Sequence, residues 1–262
     1  MHTLTIAGRE LRALFVSPVA YVVLTLWSVL AGSFFLLTVE EFDYGVVQLQ
    51  QLQRYDELQM TNLNDHLIEP FLGSIWVFML FLLPAVTMGL MSSEKANGTE
   101  ELLLTSPISV WDIVFGKFLA GCGFVTAMIA IVAFYPGLLF AFGEPELGKT
   151  LSGLLCLLLI GMSYVSVGVF ASSVTRSQVI AFFLALVLLM MIGMMLPVVV
   201  DVVLAGGGFA RDSGLVEGVR WAATVSHVDG MVRGLIDTAD IAYFVIASGA
   251  VSYTHLTLPT RS

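Results

Sequence analysis

Five apolar stretches, near residues 18–38, 71–91, 117–142, 151–173 and 179–203, are each long enough to cross a lipid bilayer, and a sixth starts at Ile241. A hydrocarbon layer roughly 30 Å thick takes about 20 apolar residues of helix, because no water is there to bond a backbone amide or carbonyl. Barrel strands would instead run about ten residues with alternating polarity. These stretches are continuous and rich in Leu, Phe, Val and Ala, so the pattern predicts an all-α polytopic membrane protein. Composition agrees, with 58% hydrophobic and only 12% charged residues. A soluble domain carries about twice that charge.

The sixth run does not reach membrane length before the character of the chain changes. Its last residues, SYTHLTLPTRS, are polar and Thr-rich, and they resemble translated adapter sequence found at the ends of unrelated proteins. Residues 1–251 are therefore expected to form the transmembrane domain, with 252–262 a non-native polar tail and the sixth helix truncated. A genuine polar C-terminus after a short, half-inserted helix is the alternative.

Residues 2–17 alternate Arg9, Glu10 and Arg12 with Leu4, Ile6, Leu11, Leu14 and Phe15, spacings close to those of an amphipathic helix. Such a helix is expected to lie in the membrane interface, apolar side down, and to enter the bilayer at Pro18. No small-residue cleavage site follows the first apolar run, so the N-terminus is expected to be retained and cytoplasmic. The count of basic residues does not settle the orientation. That topology puts Arg9, Arg12, Lys95, Lys117 and Arg176 inside against Arg54, Lys149, Arg211, Arg220 and Arg233 outside. Weighting toward short loops favours inside slightly.

Two polar segments fall on the other side. Residues 39–70 hold seven acids against Arg54, which reads either as a cation-collecting mouth or as a solvated loop, and the run VVQLQQLQRYDELQ suits a helix. Residues 204–240 begin with Gly206, Gly207 and Gly208 and continue in two amphipathic stretches. Ser226 and Asp229 are spaced as a capping-box variant for the second. Trp221 and its flanking arginines suit the lipid interface.

Between the second and third apolar runs lies a compact polar island, MGLMSSEKANGTEELLLTSPISVWDIVFGKFLA, residues 88–120. Asn97-Gly98 signals a turn, and Thr99 is placed to cap a helix opened by Glu100 and Glu101, acids that suit the positive end of its dipole. Leu102, Leu103 and Leu104 follow, and Pro107 stops the helix after about two turns. Ser109 and Asp112 are spaced to cap a second helix that runs into the third span. Lys117 is expected to snorkel its ammonium to the membrane edge. The island reads either as a short rigid helix presented to a soluble partner or as a well-capped interhelical loop.

The island resembles the signature of ABC-2 type permeases, the membrane subunits of one class of ATP-binding-cassette exporters. The matching elements are Glu94-Lys95, then Gly98-Thr99-Glu100-Glu101-Leu102-Leu103-Leu104, Pro107, and Gly116-Lys117. The stretches RELRALFVSPVAYVVLTLWSVLAGSFF and HVDGMVRGLIDTADIAYF are similar to the subgroup associated with gliding motility (Gld-type). Ser93 stands where a second acid is common, and Glu100 where an apolar residue is more usual.

The resemblance implies a six-helix ABC-2 type transmembrane domain with an N-terminal interfacial helix. It implies a permease subunit in the bacterial inner membrane that pairs with a second permease, identical or related, and with two separate cytoplasmic ATPase subunits, among membrane lipids and without nucleic acid. Glu94, Gly98, Thr99, Glu100, Glu101, Leu103 and Pro107 would then form the ATPase-coupling element, and the interfacial helix with Arg9, Glu10 and Arg12 would dock beside it. A non-transporting scaffold of a motility or secretion machine is the competing class.

No catalytic chemistry is legible. Gly116-Lys117 is followed by Phe118 and lacks the upstream glycine of a phosphate-binding loop, so ATP hydrolysis is expected in a partner. His2, His66, His227 and His255 are scattered, and no cofactor or metal is expected. Cys122 and Cys156 read as buried thiols within spans. Asp201 near the end of the fifth span is either a functional acid or a solvated one. Pro84, Pro136 and Pro197 are expected to kink their helices, and Gly161 and Gly168, seven apart, to allow close packing.

Overall fold

The structure, a computed structural model, describes residues 2–99, 109–195, 198–199, 202, 224–235 and 237–257. Among them every regular element is helical. In chain order these are α1 (His2–Val16), α2 (Pro18–Gln51), α3 (Tyr55–Met60), a π-helical turn (Asn64–Ile68), α4 (Glu69–Thr87) and α5 (Gly89–Ala96). After the island come α6 (Val110–Phe142), α7 (Leu147–Val174), α8 (Gln178–Met190) with a π-helical continuation (Met191–Met195), α9 (Thr224–Val232) and α10 (Thr238–Thr257).

Among the described residues, five helical segments are long and apolar enough to cross a membrane: Pro18–Gln51, Asn64–Ala96, Val110–Phe142, Leu147–Val174 and Gln178–Met195. They correspond to the five apolar stretches. The first is far longer than its apolar run, since α2 continues through the acidic segment to Gln51. There Gln53 turns left-handed (φ 55°) and the Gln53 and Arg54 amides close on Gln50 and Leu49 carbonyls, a Schellman ending built on a non-glycine. The Gln-rich stretch is thus helix, divided between α2 and α3. α10 runs unbroken across Val251 to Thr257.

Lipid tails are as apolar as the side chains they replace, so helices in a membrane associate through close packing and hydrogen bonds. Glycines supply the close packing. A Cβ on Gly153 would lie 2.5 Å from Leu72 Cδ1, one on Gly161 2.7 Å from Met79 Cε, and one on Gly168 2.0 Å from Thr87 Oγ1. One glycine stripe along α7 thereby seats α4. Across α7 a Cβ on Gly161 would also meet Val125 Cγ1 at 2.5 Å, as one on Gly121 would meet Val165 Cγ1, which brings α6 close. Hydrogen bonds add direction: Trp27 Nε1 donates to the Met128 carbonyl at 2.9 Å, and Tyr135 OH to the Ser28 carbonyl at 2.9 Å, which fixes α2 beside α6. Pro84 and Pro136 lie inside α4 and α6. Pro197 and the glycine run 206–208 fall outside the described residues, as do Asp201 and Trp221.

α1 packs part of its apolar side on α6. Thr3 bonds Asp112, a Cβ on Gly116 would lie 2.7 Å from Ile6 Cγ2, one on Gly123 would lie 3.0 Å from Leu11 Cδ1, and Phe15 packs on Phe124 at 5.6 Å. Contacts that climb both helices together mean that α1 runs alongside α6 in the same direction. The amphipathic helix expected over residues 2–17 is thus present, and part of its apolar side is covered by protein. α6 offers two glycines seven apart, Gly116 and Gly123, and that groove seats Ile6 and Leu11. Ser17 then caps α2, its Oγ accepting from the Val19 amide, with Pro18 in the first helical position.

At the opposite end of the bundle, α9 and α10 form a hairpin against α4 and α7. Ser152 Oγ donates to the Met231 carbonyl at 2.8 Å and Arg233 pairs with Glu69 at 3.1 Å. His227 Nδ1 lies 2.6 Å from Asp240 Oδ1, while its ring stacks on Tyr243 at 4.2 Å. Ser226 and Asp229, spaced as a capping box, both lie inside α9, which already runs at Thr224. The capping reading of that pair is therefore corrected.

Candidate functional site

The polar island enters as α5 and leaves as α6, and the two ends are tied by a buried ammonium. Lys117, one and a half turns above the Trp111–Asp112 turn of α6, is 1% exposed. Its Nζ donates to the Leu90 carbonyl at 2.6 Å and to Glu94 Oε1 at 2.9 Å, and stands 3.5 Å from Glu10 Oε2. Three donors thus face three acceptors, the full capacity of an ammonium. The ammonium expected to snorkel is instead buried, held inside the protein by two carboxylates and a helix carbonyl.

Glu10 is shared. Its other oxygen takes Arg9 at 2.8 Å, so Arg9, Glu10, Lys117 and Glu94 form one chain of alternating sign with no net charge. This chain crosses three helices, α1, α6 and α5. Burying ions is costly, and neutrality with satisfied hydrogen bonds is what makes it tolerable. Arg9 and Arg12 keep exposed side chains on the free face of α1, where with Leu4, Thr5 and Gly8 they line a shallow concavity.

The end of α5 is built for a sharp exit. Gly98 adopts φ +69°, its amide bonds the Lys95 carbonyl, and the Thr99 amide bonds the Glu94 carbonyl at 3.0 Å, a Schellman motif in which glycine takes the left-handed position. The Thr99 hydroxyl also donates to the Glu94 carbonyl. The Asn97-Gly98 turn is therefore the C-terminal cap of α5. Lys95 reaches the other way, Nζ to the Ser173 carbonyl at 2.5 Å, onto the last turn of α7. Glu100, Glu101, Leu103 and Pro107 lie outside the described residues. α6 restarts at Ser109, whose Oγ accepts from the Trp111 amide.

A cavity of about 280 Å³ opens beside this chain. Glu10 and Ser17 line it from the α1–α2 joint, Gly89 and Ser93 from α5, and Gln178 from the start of α8. Among the described residues no group of three or more His, Cys, Asp or Glu side chains could hold a metal ion. Cys122 and Cys156 are buried free thiols in different helices.

The structure thus brings together Glu10, Glu94 and Lys117 from positions far apart in the chain, and places Gly98 and Thr99 at the same corner. Sequence reasoning missed the partners that complete the site: the Leu90 carbonyl, Asp112 with Thr3, and the glycine groove at Gly116 and Gly123. Those two glycines are seven apart, like Gly161 and Gly168, and that spacing was the available signal.

Residues 4–209 match the profile of a protein family described as ABC-2 family transporter protein. No curated protein matches the chain.

Proposed function

The chain belongs to the ABC-2 transporter family, a multi-pass membrane component of an ABC transporter that associates with ABC ATPases, and on that premise we propose that it is an exporter's permease subunit. In this reading it pairs with a second permease, identical or related, and with two cytoplasmic ATPase subunits. The subunit sits in the bacterial inner membrane with its N-terminus in the cytoplasm, and the resemblance of its opening and late stretches supports a Gld-type permease. ATP is hydrolysed in the partner.

One observation carries the coupling part of the reading. The ion chain Arg9–Glu10–Lys117–Glu94 links α1 and α5, both expected to face the ATPase, to the third span. An ATPase that engages residues 94–107, including Glu94, Gly98, Thr99, Glu100, Glu101, Leu103 and Pro107, pushes on a helix that buried ions tie to α1 and α6. Such a push is transmitted because displacing α5 alone would strand a charge. ATP shifts the permease between conformations only by as much as the ATPase binds one of them more tightly.

Co-purification with an ABC ATPase from the same genome tests this, with wild type beside Glu100→Lys. A complex formed by wild type and lost in the variant is the expected result. A wild type that captures no ATPase overturns the reading in favour of a scaffold.

A further inference from the structure

Between α4 and α5 a side chain from another helix enters the backbone ladder. In an unbroken helix the Ser92 amide bonds the Met88 carbonyl. Here the Ser92 amide donates to Ser172 Oγ at 3.0 Å, and Ser172 Oγ donates to the Met88 carbonyl at 2.8 Å. The Met91 amide reaches the same oxygen at 2.9 Å. One hydroxyl of α7, fully buried, thus accepts twice and donates once, its whole capacity. Met88 keeps right-handed helical dihedrals (φ −54°, ψ −33°), so the chain direction is preserved while its hydrogen bonds detour through a neighbour.

The surroundings favour an easily exchanged joint. Thr87 donates back to the Leu83 carbonyl, Ser92 to Met88 and Ser93 to Gly89, local bonds that loosen and bend a helix. Gly168, one turn before Ser172, lets Thr87 against α7, where a Cβ would meet Thr87 Oγ1 at 2.0 Å. Only that close approach lets a serine reach the ladder. A side chain inserted in the i→i−4 ladder is a recognised origin of helix hinges.

We propose that Ser172 is a positioning residue that makes Met88 the hinge of the second span. With the hydroxyl inserted, α5 is bonded to α7 and pivots on α4; with it withdrawn, the Met91 and Ser92 amides close on Thr87 and Met88 and the span becomes one continuous helix. These are two discrete arrangements of one element, the kind of unit through which two sites couple. The functional half rests on the permease reading: α5 leads into the ATPase-facing segment, so ATPase engagement would bias the joint.

Hydrogen–deuterium exchange of the purified full chain in lipid nanodiscs tests the hinge without any partner. A residue that merely stabilises the fold should, when removed, speed exchange nearby. Removing an inserted hydroxyl closes the ladder, so in Ser172→Ala exchange at Met91 and Ser92 should slow several-fold, up to roughly tenfold. Ser172→Thr, which keeps the hydroxyl, should restore wild-type rates. Ser172→Cys, a weaker partner, is read in the same way if the alanine variant does not fold. Unchanged or faster exchange in the variant that lacks the hydroxyl overturns the hinge. With an ATPase bound, nucleotide should alter wild-type exchange at these two amides and leave Ser172→Ala unaffected. An equal response in both overturns the proposal, whereas failure to bind any ATPase overturns the permease reading and leaves the exchange result to decide the hinge.

Discussion

Lys117 Nζ lies 2.9 Å from Glu94 Oε1, joining the helix that leaves the polar island to the helix that enters it. Both groups are largely buried, so the pair is felt most when half of it is removed. Lys117→Ala leaves Glu10 and Glu94 facing each other and should cost about 3–5 kcal/mol, as breaking a buried pair does. The double variant Lys117→Met/Glu94→Gln should cost clearly less than the sum of its single changes. Unfolding in mixed detergent with a double-mutant cycle measures both.

α1 depends on absent side chains. A Cβ on Gly116 would lie 2.7 Å from Ile6 Cγ2 and 3.2 Å from the Thr3 carbonyl oxygen. Gly116→Ala should therefore destabilise by about 1–3 kcal/mol, the usual cost of overpacking. It should also expose α1 to protease. Ile6→Ala in the same chain removes the Cγ2 contact but keeps a Cβ 2.9 Å away and should recover only part of the loss, whereas Gly8→Ala, at a position open to its surroundings, should have little effect.

Gly168 is less forgiving. Its neighbour Thr87 is β-branched and bonded back to its own helix, so it has no flexible end to swing aside. Gly168→Ala should separate α4 from α7, lower the unfolding midpoint and raise amide exchange around Met88. Adding Thr87→Ala should partly restore both readings.

The hairpin at the other end is held by polar contacts that differ in burial. His227 and Asp240 are enclosed, and Arg233 and Glu69 are open to solvent. Asp240→Ala removes a carboxylate from a buried imidazole and should cost about 1–3 kcal/mol. Arg233→Ala should cost no more than about 1 kcal/mol. Proteolysis in the turn at residues 233–235 should rise in the first variant and scarcely change in the second.

The five spans were legible because a bilayer demands continuous apolar helix, a signal carried by each segment alone. The fate of Lys117 was not. A lysine at the start of a span reads as snorkelling unless one knows that Glu10, 107 positions earlier, and Glu94 converge on it. α1 was legible as an amphipathic helix, but its pattern says only that one face is covered and could not name α6 as a partner of that face. Ser172 was invisible, since one hydroxyl among many shows its role only when the facing backbone is known. Asn97-Gly98 was read correctly as a turn, yet its use as the C-terminal cap of α5 required the left-handed glycine to be seen.

Whether α1 and α5 respond together to an ATPase is tested most directly by spin labels at Arg12→Cys and Ala96→Cys, both exposed positions, in the chain reconstituted with an ABC ATPase. The label separation should shift when the nucleotide-bound ATPase is trapped, and Lys117→Met should abolish that shift. A separation that stays fixed in a complex that hydrolyses ATP would contradict coupling through the ion chain.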